Sequence, residues 1–250
     1  MLRTVAFFAY LVVLMMLTLF VFPVLGLVRL FGGERAHDRA LGMITGAWAR
    51  HLLWFGGVPV EVDMRARPPR EGPLCVVSNH QGDADILLVV GFVPRLVGFI
   101  AKKELTRLPI ISWWMRAMHC VFIERHSARQ ALAAIERAAG RIRAGQAMIL
   151  FPEGTRSRSR RMADFKPGSM KLAKDAGAPV LPVTIDGTFR LFEERGVVTP
   201  APVRLTLHKV VPARTVSRLS RRELAEHLQD TIRGPLEARR PAVEARAVST

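Results

Sequence analysis

The stretch Ser78-Asn79-His80-Gln81-Gly82-Asp83-Ala84-Asp85 brings one imidazole and two carboxylates close together in sequence. A histidine works as a general base near neutral pH when a carboxylate fixes its ring and the second ring nitrogen faces a substrate proton. His80 and Asp85 are five positions apart, which inside one straight helix turns their side chains about 140° apart. They meet only if His80 lies in a loop and Asp85 in the first turn of the following helix. On spacing alone, the same residues also read as a loop histidine and an Asp83 that favours a helix N-terminus. A metal site formed by His80, Asp83 and Asp85 lacks a second histidine, and Ser78 lacks the G-x-S-x-G elbow of a serine nucleophile.

A second stretch, Phe151-Pro152-Glu153-Gly154-Thr155-Arg156-Ser157, also follows a β-rich run. Gly154 lets the backbone turn tightly or approach a ligand. The Arg156 guanidinium is a planar fork suited to phosphate. Arg158, Arg160, Arg161, Lys166, Lys171 and Lys174 follow, against Asp164 as the only acid from 156 to 174. A solvated basic loop is the plain reading of this run. An RNA-binding Arg/Ser tract is the alternative, but the tract is short and has no interleaved aromatics on which bases stack, which argues against nucleic acid as a partner.

Both stretches need elements that end where the chemistry begins. The short apolar runs 58–62, 74–78, 96–100, 121–124, 148–151, 180–185 and 203–211 read as strands. Helical patterns lie between them, over Asp83 to Val90, Ser112 to Met118, Ser127 to Arg143 and Pro167 to Ala176. In the third, Ser127 is the expected cap, and Leu132, Ile135, Ala139 and Ile142 form the stripe. Ser220-Arg221-Arg222-Glu223 is a capping box opening a last helix to about Arg233. This alternation predicts an α/β domain over 58–238, a mostly parallel sheet flanked by helices, with ligand groups at the C-terminal strand ends. Residues 239–250 read as a disordered tail.

The first 57 residues differ in kind. From Thr4 to Val28 there is no charge, and only Thr4, Thr18, Pro23 and Gly26 are not hydrophobic. As a helix this run is roughly 37 Å long, enough for a hydrocarbon core of about 30 Å. A cleaved signal peptide has a shorter apolar region, about 7–15 residues. In the segment from Glu34 to Phe55, Leu41, Ile44, Trp48, Leu52 and Phe55 recur at helical spacing. The expectation is a two-helix membrane anchor, the second helix lying on the membrane or against the first; an ordinary amphipathic helix packed on the domain is the other reading of this segment. Arg29, Arg35, Arg39 and Arg50 outnumber Arg3, which puts the domain at the cytoplasmic face of the cell membrane.

The 250 residues carry a formal charge of +16 and are 50% hydrophobic, which excludes wholesale disorder. The two cysteines, Cys75 and Cys120, sit in apolar runs and read as buried thiols, neither a disulfide framework nor a zinc ribbon. A charge of this size suits an anionic membrane surface, phosphorylated substrates or an acidic protein partner.

Taken together, the motifs resemble a family. NHQGDAD resembles the N-H-x-x-x-x-D motif, and FPEGTRS the F-P-E-G-T-R-S motif, of the glycerolipid acyltransferases typified by 1-acylglycerol-3-phosphate acyltransferase. Lys102-Lys103-Glu104-Leu105, Phe122-Ile123-Glu124-Arg125, Phe165-Lys166-Pro167-Gly168 and Val180-Leu181-Pro182-Val183-Thr184-Ile185 match intermediate and final blocks, so the resemblance runs from about 58 to 212. Ser112 departs from it, standing where the family usually has glycine.

The resemblance implies His80 with Asp85 as the catalytic pair, deprotonating the hydroxyl of lysophosphatidic acid for direct attack on a thioester. It implies no cofactor or metal; acyl-CoA or acyl-carrier protein is the co-substrate. Arg156 would hold the phosphate, with Lys102 and Arg125 as further phosphate residues. Glu153, Gly154 and Thr155 complete the substrate-binding set, Glu153 touching glycerol or orienting Arg156, and backbone groups near Gly154 serving the oxyanion. A structural ion pair between Glu153 and Arg125 stays open beside that reading. So do two alternative functions: acylation of another lysophospholipid or lyso-aminolipid, and a non-catalytic membrane lipid-binding protein.

Overall fold

The computed structural model describes residues 1–124 and 128–238. Arg125, Ser127 with its expected capping role, and the tail 239–250 lie outside the described residues. Seven strands form one sheet: β1 (Val60–Met64), β2 (Leu74–Ser78), β3 (Val97–Lys102), β4 (Val121–Ile123), β5 (Ala147–Leu150), β6 (Val180–Asp186) and β7 (Val203–Leu207). The order across the sheet is β1-β7-β6-β2-β5-β3-β4. Every neighbouring pair is parallel except β6 and β7, which run antiparallel. All seven runs read as strands from the sequence are strands. The longest stops at Leu207, and Val211 returns as a single bridge to Val180.

The helices are α1 (Leu2–Leu17), α2 (Val21–Phe55), α3 (Asp85–Phe92), α4 (Pro109–Ala117), α5 (Ala128–Arg143), α6 (Lys171–Ala176), α7 (Ala213–Arg218) and α8 (Arg221–Glu237). They cover both faces of the sheet, so the central strand β2 is buried along its whole length. Its side chains alternate. Cys75 and Val77 pack into a cluster with Ala138, Ile142, Leu172, Leu224 and Leu228 from α5, α6 and α8. Leu74 and Val76 pack into the opposite cluster with Leu53, Leu88 and Val89 from α2 and α3. At α5 the stripe differs from the expected one. Ala134, Ala138, Ala139 and Ile142 are buried, while Leu132 is half exposed. The alanines allow the close approach of α6 that a leucine at their place would block. At α8 the capping box is formed, with Ser220 Oγ accepting from the Glu223 N–H and a Glu223 carboxylate oxygen accepting from the Ser220 N–H.

The N-terminal helices form a hairpin. A short 3₁₀ turn (Thr18–Phe20) joins α1 to α2, and α2 breaks direction at Gly33, whose φ is 75°. A long apolar rod therefore runs from Leu2 to Gly32 and folds back on a second rod ending at Phe55. Tyr10 stacks on Phe55 at 3.9 Å, and Arg3 donates to the Gly56 carbonyl. By length and composition the region is apolar enough to cross a membrane, with a mean hydropathy of 2.8 in its most apolar window. Val5, Phe8, Val12, Met16, Phe20, Val24, Leu27 and Phe31 are exposed along the first rod at helical spacing. The rod touches the domain at both ends, through Thr4 and the edge of the partly exposed Phe8 near the start and through Phe22 and Leu25 further on.

The second rod was expected on the membrane or against the first. It does pack on the first, and it also seats on the domain: Leu41, Thr45, Ala49, Leu52 and Leu53 are buried, with α3 as its main neighbour. Trp54 remains 71% exposed.

Candidate active site

Five strands deliver loops to one edge of the sheet, because β2, β3, β4, β5 and β6 are mutually parallel. His80 lies two residues beyond the end of β2, and α3 starts at Asp85. This is the loop-then-first-turn arrangement that a five-residue spacing requires. His80 Nδ1 is 2.7 Å from Asp85 Oδ2. The same oxygen accepts from the backbone N–H groups of Gln81 at 2.6 Å and Gly82 at 3.0 Å, and Oδ1 accepts from the Thr188 hydroxyl at 2.5 Å. Asp85 is fully buried, so these four donors compensate the desolvation of its charge. A carboxylate can only accept, which assigns the proton to His80 Nδ1 and leaves Nε2 as the acceptor. The His80 ring lies flat on Phe151, with centroids 4.1 Å apart and planes 18° apart, and its side chain is 19% exposed.

The second motif is joined to the first along the backbone. Ser157 N–H donates to the His80 carbonyl at 2.8 Å, and Arg158 N–H to the Gln81 carbonyl at 3.2 Å. Glu153 sits underneath. Its Oε1 accepts from the His80 N–H at 2.7 Å and its Oε2 from the Ala163 N–H at 2.8 Å. Burial pushes its carboxyl above the usual carboxylate range, against the pull of those two N–H donors. Glu153 therefore braces the loop with both oxygens and is 2% exposed, not turned outward toward a substrate glycerol or toward Arg156. Gly154 has φ 75°, and its N–H donates to the Phe151 carbonyl at 3.1 Å, which closes the turn and takes that donor from an oxyanion role. Thr155 is exposed beside it.

Arg156 reaches back over the first motif. Its Nη1 is hydrogen-bonded to Asp83 Oδ2 and lies 3.3 Å from Glu193 Oε1. Asp83 thus pairs with Arg156 as well as preceding α3. Lys102 ends β3 at the same sheet edge and is exposed. A hollow of about 340 Å³ opens nearby between the ends of β3 and β4 and the helices α4 and α5, lined by Lys103, Arg116, Phe122, Glu124 and Arg137. Burial pushes the Cys75 and Cys120 thiols up to about 12, so neither supplies a thiolate near neutral pH. Ser78 is fully buried at the end of β2.

The site thus joins two motifs about 70 residues apart around one histidine. A scan of the chain against protein-family models matches residues 59–186 to the Acyltransferase family. The chain belongs to the acyltransferase family. Among relatives of this acyltransferase is a probable 1-acyl-sn-glycerol-3-phosphate acyltransferase of Mycoplasma genitalium, 31% identical over 203 residues, 76% of this chain and 75% of the relative. A chloroplastic 1-acyl-sn-glycerol-3-phosphate acyltransferase of Brassica napus is 32% identical over 146 residues, 58% of this chain; the match spans only 42% of that longer relative. The acyltransferase also superimposes on the crystal structure of the 1-acyl-sn-glycerophosphate acyltransferase from Thermotoga maritima with a TM-score of 0.81 and 28% identity, covering 95% and 96% of the two chains.

Three functional neighbours escaped sequence reasoning. Thr188 and Glu193 lie in the loop after β6, more than 100 residues from their partners in the first motif. Phe151 stood in the quoted motif, but nothing in its type announced a stack on His80.

Proposed function

We propose that the protein moves a fatty acyl group from an acyl thioester, acyl-CoA or acyl-carrier protein, to the sn-2 hydroxyl of lysophosphatidic acid, forming phosphatidic acid for phospholipid synthesis. The observation that carries this reading is the 2.7 Å His80–Asp85 contact, which leaves Nε2 of His80 as the proton acceptor, while Arg156 is bonded to Asp83 of the same motif. Nε2 takes the hydroxyl proton as that oxygen attacks the thioester carbonyl, and Asp85 balances the imidazolium. The tetrahedral intermediate collapses with cleavage of the C–S bond. The leaving thiolate recovers the proton from Nε2, so no proton is gained or lost by the enzyme and no acyl-enzyme forms. Arg156 holds the acceptor phosphate, with Lys102 as a further cation at the same sheet edge.

The lipid acceptor also gives the N-terminal hairpin a role. The first rod touches the domain at Thr4 and at Leu25, roughly 32 Å apart along a helix, which is about the thickness of the hydrocarbon core. A rod crossing the bilayer would put those two points on opposite sides. A rod lying in one leaflet keeps both on the domain and turns its exposed apolar face to lipid, at the cytoplasmic face of the cell membrane. The formal charge of +16 favours an anionic surface there.

The test uses purified protein on anionic vesicles with lysophosphatidate, lysophosphatidylglycerol and 1-acylglycerol as acceptors, each with acyl-CoA and acyl-carrier protein. Phosphatidate should form fastest, and folded His80→Ala should form none above background. Equal use of the three acceptors, or retained turnover in His80→Ala, refutes the proposal.

A further inference from the structure

Glu193 is a buried carboxylate that neither motif contains. It lies in the loop that follows β6, and its side chain is 5% exposed. Oε1 accepts from the Asp83 N–H at 2.7 Å and lies 3.3 Å from Arg156 Nη1. Oε2 is buried and, among the described residues, has no hydrogen-bond partner. Burying a charge in this way is costly, and natural folds keep such a group where its contacts do something that packing cannot.

The first motif is shaped around this carboxylate. A side chain at Gly82 would place its Cβ 2.5 Å from Glu193 Oε2 and 2.8 Å from Cδ, so any larger residue there would push the carboxylate out of this position. Arg156 is consequently held from two sides by groups of opposite character. Glu193 is buried and fixed, whereas the Asp83 side chain is 75% exposed and free to leave. Both contacts run through Nη1. The loop itself is tied at both ends of its reach. Thr188 donates to Asp85, and Gly187 N–H donates to the Gln81 side chain. On the other side, Val198 N–H donates to Thr4 Oγ1, and Phe192 meets Phe8 edge-on at 6.1 Å, both on α1.

We propose that Glu193 is a positioning residue for the acceptor headgroup: it fixes Arg156 from the protein side, while Asp83 occupies the outward side of the guanidinium until an acceptor phosphate replaces it. This rests on the reading of Arg156 as the phosphate-binding residue. A carboxylate on a mobile, exposed side chain is a placeholder that keeps the fork extended between turnovers. The inner carboxylate stops the arginine following the departing ligand out of the site. The loop also joins this support to the membrane helix, so the arm is set relative to the surface from which the acceptor arrives.

The experiment compares Glu193→Gln, Asp83→Asn, Arg156→Ala and the double variant Glu193→Gln/Arg156→Ala, using lysophosphatidate and 1-acylglycerol of the same chain length. For Glu193→Gln the KM for lysophosphatidate should rise about tenfold or more, the scale of one contact to a charged group, with kcat changed far less. The loss with 1-acylglycerol should be much smaller. The double variant should be no worse than Arg156→Ala alone, because Glu193 acts through that arginine. Asp83→Asn removes the competing carboxylate from an exposed position and should lower the KM for lysophosphatidate; it reads the same competition should Glu193→Gln fail to fold. Equal losses with both acceptors, multiplicative losses in the double variant, or an unchanged KM in Asp83→Asn would overturn the assignment of Glu193. An unchanged lysophosphatidate KM in Arg156→Ala would instead remove the phosphate-binding reading itself, and the inference with it.

Discussion

Replacing Asp85 by asparagine isolates charge from geometry. The amide oxygen can take the place of Oδ2, where three donors converge, and the amide nitrogen then faces the Thr188 hydroxyl, which can rotate to accept. The fold and the His80 tautomer should survive. What disappears is the negative charge facing the imidazolium that forms as the acceptor hydroxyl is deprotonated. For charge centres about 4 Å apart at an effective dielectric of about 20, the lost interaction is about 4 kcal/mol, on the order of a thousandfold in rate. Asp85 is fully buried but the His80 side chain is 19% exposed, so water recovers part of this. The expected loss in kcat is therefore roughly 100- to 1,000-fold, with a smaller change in KM. The assay is the initial rate of thiol release from acyl-CoA with lysophosphatidate, beside circular dichroism and a thermal melt. Thr188→Val is the control, since it removes only the Oδ1 donor and should cost about tenfold. A folded Asp85→Asn enzyme within tenfold of the parent would show that Asp85 orients the loop and contributes little to proton transfer.

Phe151→Leu removes the ring stacked on His80 and should lower kcat roughly two- to tenfold, the worth of one aromatic pair, with membrane binding unchanged in flotation. His208 is buried against Thr184, and burial holds its imidazole down at about 4, below the 6.5 of the unfolded chain. The unfolded state therefore binds the extra proton between those values, so this stability is complete above about pH 6.5 and lost as pH falls toward 4. The loss is about 3 kcal/mol and should appear as a difference in melting between the parent and His208→Gln across that window. On the first rod, Val12→Ser with Leu27→Ser alters only exposed residues and should weaken vesicle flotation by about 2–4 kcal/mol without lowering the melting temperature in detergent. Undiminished flotation would remove the lipid-facing assignment.

The centre of the sheet was legible because β2, β5 and β6 are buried on both faces and read as uninterrupted apolar runs. β2 is the clearest case, its five residues bounded by Pro73 and Asn79. The His80–Asp85 pairing was legible as a geometric condition, since only a loop-to-helix junction satisfies a five-residue spacing. Other features were not, for identifiable reasons. Leu132 fits a helical stripe by type, yet the stripe on α5 is set by how closely α6 approaches, and that selects alanines. Glu153 carries a charge that suggests an outward role, but two backbone N–H groups from distant segments make its burial tolerable. Glu193 and Thr188 reach the site only through the pairing of β6 beside β2, a contact across more than 100 residues that leaves no local periodicity.

The bond between Val198 and Thr4 spans 194 residues. Thr4 leaves the ribosome well before Val198, which is made only after six of the seven strands. At about 5–20 residues per second, this contact waits roughly 10–40 s before it can form. Until the domain is made, the rod has only the second rod to pack on, through Tyr10 and Phe55, and most of its apolar surface is uncovered. A bilayer is the surface that protects it, so the order of synthesis itself favours a nascent chain that assembles its sheet while already tethered to lipid. A chain released before Val198 has been made would keep the rod but lack the loop that receives it.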